Sequence, residues 1–242
     1  MADETTFLTD CVSLLAAIGL PDLTLPPARF EKADRDRVAF GIRYYVYASI
    51  AQHRSVLKGL VLVADGANWA CAYILTRHLL EWAAQATFAK LKLTSLVRQQ
   101  KWDKAWAVLL KLNGGDLYFR QFGAKYLQDR EKDVNIPEPY GLADFMAVYD
   151  SQWAAEDGRG AAKEDHSLLS ELSHASAACL RQQLTTYHNR ISFKSEEDNS
   201  SLSAASTYCI DWLMSIAEML KSIDDSAVGP AVMAAVRRLA EG

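Results

Sequence analysis

Long stretches of this chain carry apolar residues at intervals of three and four, and few helix-breaking residues interrupt them. The 242 residues include only 12 Gly and 6 Pro, which gather at a few places such as Asn113-Gly114-Gly115-Asp116. Apolar side chains three or four positions apart share one face of a helix, so the pattern predicts amphipathic helices joined by short turns. We predict an all-α fold, a multi-helix bundle of about seven to nine helices with no significant sheet.

The hydrophobic content predicts one domain with a single core. Half of the residues are hydrophobic, enough apolar surface to fill one core at this length. We expect one helical domain over residues 1–242. Its core should cover about residues 29–225, after an N-terminal helix and a Pro-rich connection in residues 1–28.

Four predicted helices are relevant to the residues of interest. The first runs from about Arg29 to Ala64, and the second is capped by Asn68 and ends near Leu93. Thr94-Ser95 begins the third, which continues to Leu112, and the fourth extends from Asp165 to about His188. The other helices are expected over residues 5–18, 116–133, 142–155, 202–223 and 231–239.

Charge and composition exclude several classes of protein. A net charge of −4 argues against coating nucleic acid or an anionic membrane through overall charge, so any such contact must be local. The acidic Met-Ala-Asp-Glu start and the absence of an apolar signal segment predict a cytoplasmic protein. We expect no membrane span, because Arg77, His78 and Glu81 interrupt the most apolar long window.

Charged residues within that apolar window form a first candidate site. Arg77 and Glu81 are the only formally charged residues from Gly66 to Ala89, and they are neighbours on one helix face. They predict either a desolvated ion pair that sets helix register or a polar site inside the bundle, which His78 would share.

A polar stripe on the predicted helix from Asp165 to His188 forms a second candidate. At the α-helical repeat its members lie within about 80° of one another, on a side away from the leucines. They are His166, Ser170, His174, Arg181 and His188. Histidine, serine and arginine titrate near neutrality or bind anions, which favours a functional face, although a half-buried helix contact would look similar.

Two resemblances arise from these residues. The pairing of Arg77-x-x-x-Glu81 with a later Ser170-x-x-x-His174 resembles a bacterial all-helical family of unknown function, over about residues 29–225. The spacing of Arg181 and His188 resembles the Arg-x4-6-His signature of the HEPN ribonucleases, all-helical proteins of prokaryotic defence and toxin systems. This second resemblance implies metal-independent RNA cleavage by Arg181 and His188, and a homodimer.

A basic segment with tryptophans offers a nucleic-acid-binding surface. Residues 90–111 hold six Lys or Arg and one Asp, within an acidic protein. Lys101, Trp102, Lys104 and Trp106 combine cations with aromatic rings one turn apart, as single-stranded nucleic acid binding requires. Tryptophans facing the core with solvated lysines would produce the same pattern.

Three functions follow as hypotheses. The first is a defence- or toxin-type protein with metal-independent RNase or RNA-binding activity, and the alternative is a non-catalytic module that binds a protein partner or small ligand. The third is a metal-binding bundle, motivated by Glu171-x-x-His174 and His78-x-x-Glu81, although the second Glu-x-x-His of a di-iron site is missing. We predict no cofactor, and RNA or a protein as the partner.

Overall fold

The computed structural model describes residues 4–23, 33–66, 68–112, 140–157, 162–173, 184–187, 190–193 and 200–241. Eight helices account for nearly all of this part of the chain. The first four are α1 (Glu4–Ala17), α2 (Arg35–Asp65), α3 (Trp69–Arg98) and α4 (Trp102–Leu112). The other four are α5 (Leu142–Asp157), α6 (Ala162–Ser173), α7 (Ser200–Ser222) and α8 (Gly229–Glu241).

The all-α prediction is confirmed. The one strand pairing in the described ranges is a short antiparallel hairpin, β1 (Leu184–Tyr187) with β2 (Arg190–Phe193). Its register pairs Leu184 with Phe193 and Tyr187 with Arg190.

Side chains and backbone turns set the helix ends. The carboxylate of Asp34 accepts the N–H of Arg37 at the start of α2, and the side chain of Asn68 caps α3 by accepting the N–H of Cys71. The long helices α2 and α3 are therefore separate elements that meet at a tight turn near Gly66.

Helix α3 lies at the centre of the bundle. It packs against α2, α4, α5, α6 and α7, while α1 packs on α2 and α7. Its buried face, including Leu79, Leu80 and Ala83, meets one continuous core that contains the fully buried Trp212 of α7. Side chains at the edges of α3 therefore lie beside several neighbouring helices at once.

Three predicted helix boundaries are wrong. No break occurs at Thr94-Ser95: α3 continues to Arg98, because the Thr94 hydroxyl bonds back to the Lys90 carbonyl at 2.6 Å instead of capping a new helix. The helix predicted to reach His188 is also contradicted, since residues 184–187 form β1. Leu-Thr-Thr-Tyr followed by Arg-Ile-Ser-Phe is rich in β-branched and aromatic residues, which favour strands.

The helix predicted to begin at about Arg29 begins instead at Arg35, because the Asp34 side chain caps it there. The remaining boundaries agree with the structure to within a few residues, and the helix predicted over residues 116–133 lies outside the described residues. In the described part of the chain, no helix combines the length and apolarity needed to cross a bilayer.

Candidate functional site

Arg77, Glu81 and His166 meet where α3 contacts α6. Glu81 Oε1 lies 3.0 Å from Arg77 Nε and 2.9 Å from His166 Nε2, and His78 Nδ1 lies 3.7 Å from Glu81 Oε2. The structure thus brings together four of the residues that the sequence singled out, one of them from a distant part of the chain. We call Arg77, His78, Glu81 and His166 the polar cluster.

The hydrogen-bond geometry assigns the protons of the polar cluster. An ionised carboxylate only accepts, so His166 Nε2 must carry a proton and donate it to Glu81. Arg77 Nε also lies 3.2 Å from His166 Nε2, but that nitrogen cannot accept while it donates. Glu81 Oε1 is therefore the shared acceptor for both donors.

A second chain of contacts leads from His78 into the core. Trp82 Nε1 donates to His78 Nε2 at 3.3 Å, which leaves the His78 proton on Nδ1, toward Glu81. Trp82 also meets the ring of His53 edge-on at 5.3 Å, and His53 stacks on Trp212 at 3.6 Å. Burial lowers the pKa of His53 to about 3, so this histidine is a neutral core residue.

Glu81 is ionised at neutral pH. Burial raises its pKa, but hydrogen bonds from His78, His166 and Arg77 outweigh burial and bring the pKa to about 2. Next to the cluster, Tyr208 of α7 donates to Asp165 of α6 at 3.0 Å. The polar cluster therefore joins α6 to α3, and the Tyr208–Asp165 bond joins α6 to α7.

This arrangement predicts acid-sensitive stability. The folded pKa of Glu81, about 2, lies below its ordinary value of 4.5, so the stabilisation is complete above pH 4.5 and is lost as the pH falls toward 2. Glu81→Gln should lower the free energy of unfolding by about 2 kcal/mol at pH 7, and by much less at pH 3. Urea denaturation at both pH values measures this.

The control for this prediction is Glu164→Gln on the exposed side of α6, which should cost less than about 1 kcal/mol at pH 7. If Glu81→Gln lowers the free energy of unfolding equally at pH 3 and pH 7, the proposed role of the Glu81 charge is contradicted.

The other members of the predicted polar stripe divide into two groups. Ser170 is half-buried on α6, one turn from His166. His174, Arg181 and His188 lie outside the described residues. Because β1 occupies residues 184–187, however, His188 does not share a continuous helix face with His166, and the predicted five-residue stripe is wrong in that respect.

The metal hypothesis gains no support from the described residues, in which no group of three or more ligating side chains is arranged to hold a metal ion. The polar cluster has a fixed cation, Arg77, at 3.0 Å from its carboxylate, where a metal ion would be repelled. The side chains of Glu171 and His174 are not among those described.

A basic groove lies at the other end of α3. It has a volume of about 590 Å³ and is lined by Arg35 at the start of α2, Arg98 at the end of α3, and Lys221 at the end of α7. Trp102 of α4 and Glu218 of α7 also line the groove. We call this feature the basic groove.

The turn that carries Trp102 into the groove is backbone-strained. Gln100 has φ 57°, in the left-handed region that favours glycine. Its N–H bonds to the Val97 carbonyl at 2.9 Å, and Lys101 N–H bonds to the Leu96 carbonyl at 2.9 Å, the two bonds of a Schellman helix end. Left-handed non-glycine residues cost about 1–2 kcal/mol and concentrate at functional sites.

Residues of the predicted basic segment lie in different environments. Trp102 is half-buried and lines the groove, whereas Lys101 and Lys104 are exposed and are not among the residues that line it. Trp106 instead packs on α2: a Cβ on Gly41 would lie 3.0 Å from its ring, and Arg37 sits 5.8 Å over that ring. Trp106 is therefore part of the helix contact.

Sequence reasoning missed the contribution of Arg35, Glu218 and Lys221 to this groove. They are far from residues 90–111 in the chain, and only the packing of α2, α3 and α7 places them together. Arg35 carried no signal in the sequence, because the helix was predicted to begin at about Arg29 and Arg35 was then not in its first turn.

Fold and groove together define this molecule as an all-α helical bundle with a basic groove at one end of its central helix. Comparisons with protein-family models, curated proteins and solved structures found no match.

Proposed function

We propose that this chain binds single-stranded RNA in the basic groove. The observation that carries the proposal is the convergence of Arg35, Arg98 and Lys221, from three different helices, on one groove of about 590 Å³ beside Trp102. Phosphates require cations, and bases require a flat apolar surface; the groove offers both.

The cations of the groove support this proposal because they are largely uncompensated. Neither Arg98 nor Lys221 makes an ion pair within 4 Å with another described residue. Arg35 pairs with Asp224 at 3.2 Å, but both side chains are mostly exposed, so that pair is weak and can yield to a phosphate.

Two of these cations also stabilise the helices that carry them. Arg98 and Lys221 lie in the last turns of α3 and α7, where they stabilise the helix dipole. Arg35 has the opposite placement in the first turn of α2, and the dipole does not explain it. An anionic ligand shared by all three accounts for the whole set.

Trp102 supplies the base-binding surface in this proposal. Its half-buried indole packs against the core on one side and lines the groove on the other. Stacking one base on such a ring contributes about 1–3 kcal/mol without reading its identity.

The proposal assigns binding, and not cleavage, to the groove. Cleavage by Arg181 and His188, the homodimer and the defence or toxin role remain predictions from the resemblance to HEPN ribonucleases. No residue of the basic groove needs to act as an acid or base in the proposed function.

Fluorescence anisotropy with a labelled single-stranded RNA tests the proposal. With three phosphate contacts, the slope of log K against log salt concentration should be about −2. Arg98→Ala and Lys221→Ala should each weaken binding about fivefold near 0.1 M salt and reduce the slope by about 0.7.

The matched controls are Arg237→Ala and Lys58→Ala, which remove exposed cations outside the groove and should leave affinity within about twofold of wild type. Equal effects of groove and control variants would indicate attraction by overall charge alone. No RNA binding by the folded wild type would favour the non-catalytic module that binds a protein or small ligand.

A further inference from the structure

One acid shares the basic groove with its cations. Glu218 lies on α7 three residues before Lys221 and four before Ser222, so all three line the groove from one helix face. The Glu218 side chain is exposed and makes no ion pair within 4 Å with any described residue. It therefore does not serve to neutralise Arg98 or Lys221 directly.

An unpaired carboxylate is costly in a site for phosphates. Its charge repels the phosphate oxygens that the neighbouring cations attract, and it can only accept hydrogen bonds. A ligand that benefits from Glu218 must therefore present a donor close to a phosphate. In a nucleic acid the sugar is the group between phosphate and base, and ribose carries a 2′-hydroxyl where deoxyribose has none.

We propose that Glu218 selects RNA over DNA by accepting a hydrogen bond from a ribose 2′-hydroxyl. This inference rests on the proposed function. Trp102 binds a base face, Arg98 and Lys221 bind phosphate, and Glu218, within about one helical turn (5.4 Å) of Lys221 along α7, faces the sugar of the same strand.

Direct comparison of matched oligonucleotides tests this role. Oligouridylate and oligodeoxyuridylate of about ten residues differ only in the 2′-hydroxyl, and the 2′-O-methyl form keeps a 2′-oxygen but loses the donor. We expect wild-type protein to bind the ribose form about tenfold more tightly than either of the others, as one charge-assisted hydrogen bond allows.

Variants of Glu218 complete the test. In Glu218→Ala the preference should fall to about one, while affinity for the deoxy form stays equal or rises because a repulsive charge is gone. In Glu218→Gln, which keeps an acceptor oxygen without the charge, part of the preference should remain. Circular dichroism checks the fold, which should be unaffected because this side chain is exposed.

Each contrary outcome has a distinct meaning. Wild-type protein that binds ribose and deoxyribose forms equally, or Glu218→Ala that keeps the preference, overturns the role of Glu218 and leaves RNA binding intact. If Glu218→Ala weakens binding of the ribose and deoxyribose forms equally, the carboxylate contacts a base edge, and the proposed role of Glu218 is also overturned. If wild type binds none of the three oligonucleotides, the proposed function fails and this inference with it.

Discussion

Asp225→Ala is expected to lower the free energy of unfolding by about 3 kcal/mol. The carboxylate of Asp225, whose side chain is 1% exposed, accepts from Arg43 Nε at 2.7 Å and from the Tyr47 hydroxyl at 3.1 Å. Its other oxygen accepts the N–H groups of Val228 and Gly229 at the start of α8. The substitution removes all four bonds and leaves Arg43 without its partner.

The control is Asp224→Asn at the adjacent position. Asp224 is 83% exposed and pairs only weakly with Arg35, so its loss should cost less than about 1 kcal/mol. Asparagine also tolerates the φ of 54° at this position, where alanine would add strain. Urea denaturation of both variants measures the difference.

Similar unfolding free energies for the two variants would contradict the structural role of Asp225. Asp225→Asn then separates its two tasks, because the amide oxygen can still cap α8 but no longer carries the charge that pairs with Arg43.

Reversing two charges in the basic groove should nearly abolish RNA binding. Wild type lines the groove with Arg35, Arg98 and Lys221 against Glu218 alone. In the double variant Arg98→Glu/Lys221→Glu, three acids face one cation, and phosphate is repelled. We expect an affinity loss of at least about 100-fold near 0.1 M salt, measured by anisotropy with single-stranded RNA.

The matched control for the double variant is Lys58→Glu/Arg237→Glu, which makes the same change in net charge at exposed sites outside the groove. It should lose less than about fivefold, because these exposed charges do not line the groove and salt screens their effect on a phosphate bound there. Comparable losses in both double variants would show that overall charge, and not the groove, governs binding.

The fold was predictable because helical periodicity is a local property of the sequence. Asn68 caps α3 as expected, and the apolar spacing around Leu79 and Leu80 marks its buried face. The end of α3 was not predictable, because no glycine marks it in the sequence. Gln100 instead adopts the left-handed conformation in which glycine usually ends a helix.

The candidate sites depend on long-range packing to different degrees. Arg77 and Glu81 were visible because two charges in an apolar helix are unusual, but their contact with His166 required α6 to dock on α3. The basic groove was only partly visible, since Arg98 and Trp102 lie in the basic segment while Arg35 and Lys221 come from other helices. No local pattern reports such convergence.

Helix α3 carries both regions of interest and fixes the distance between them. Arg77 belongs to the polar cluster and Arg98 to the basic groove, and the helical rise separates them by about 31 Å. Residues this far apart with no shared partner contribute additively to free energies. The stability of the bundle and the affinity of the groove can therefore be changed independently, by substitutions at different positions along α3.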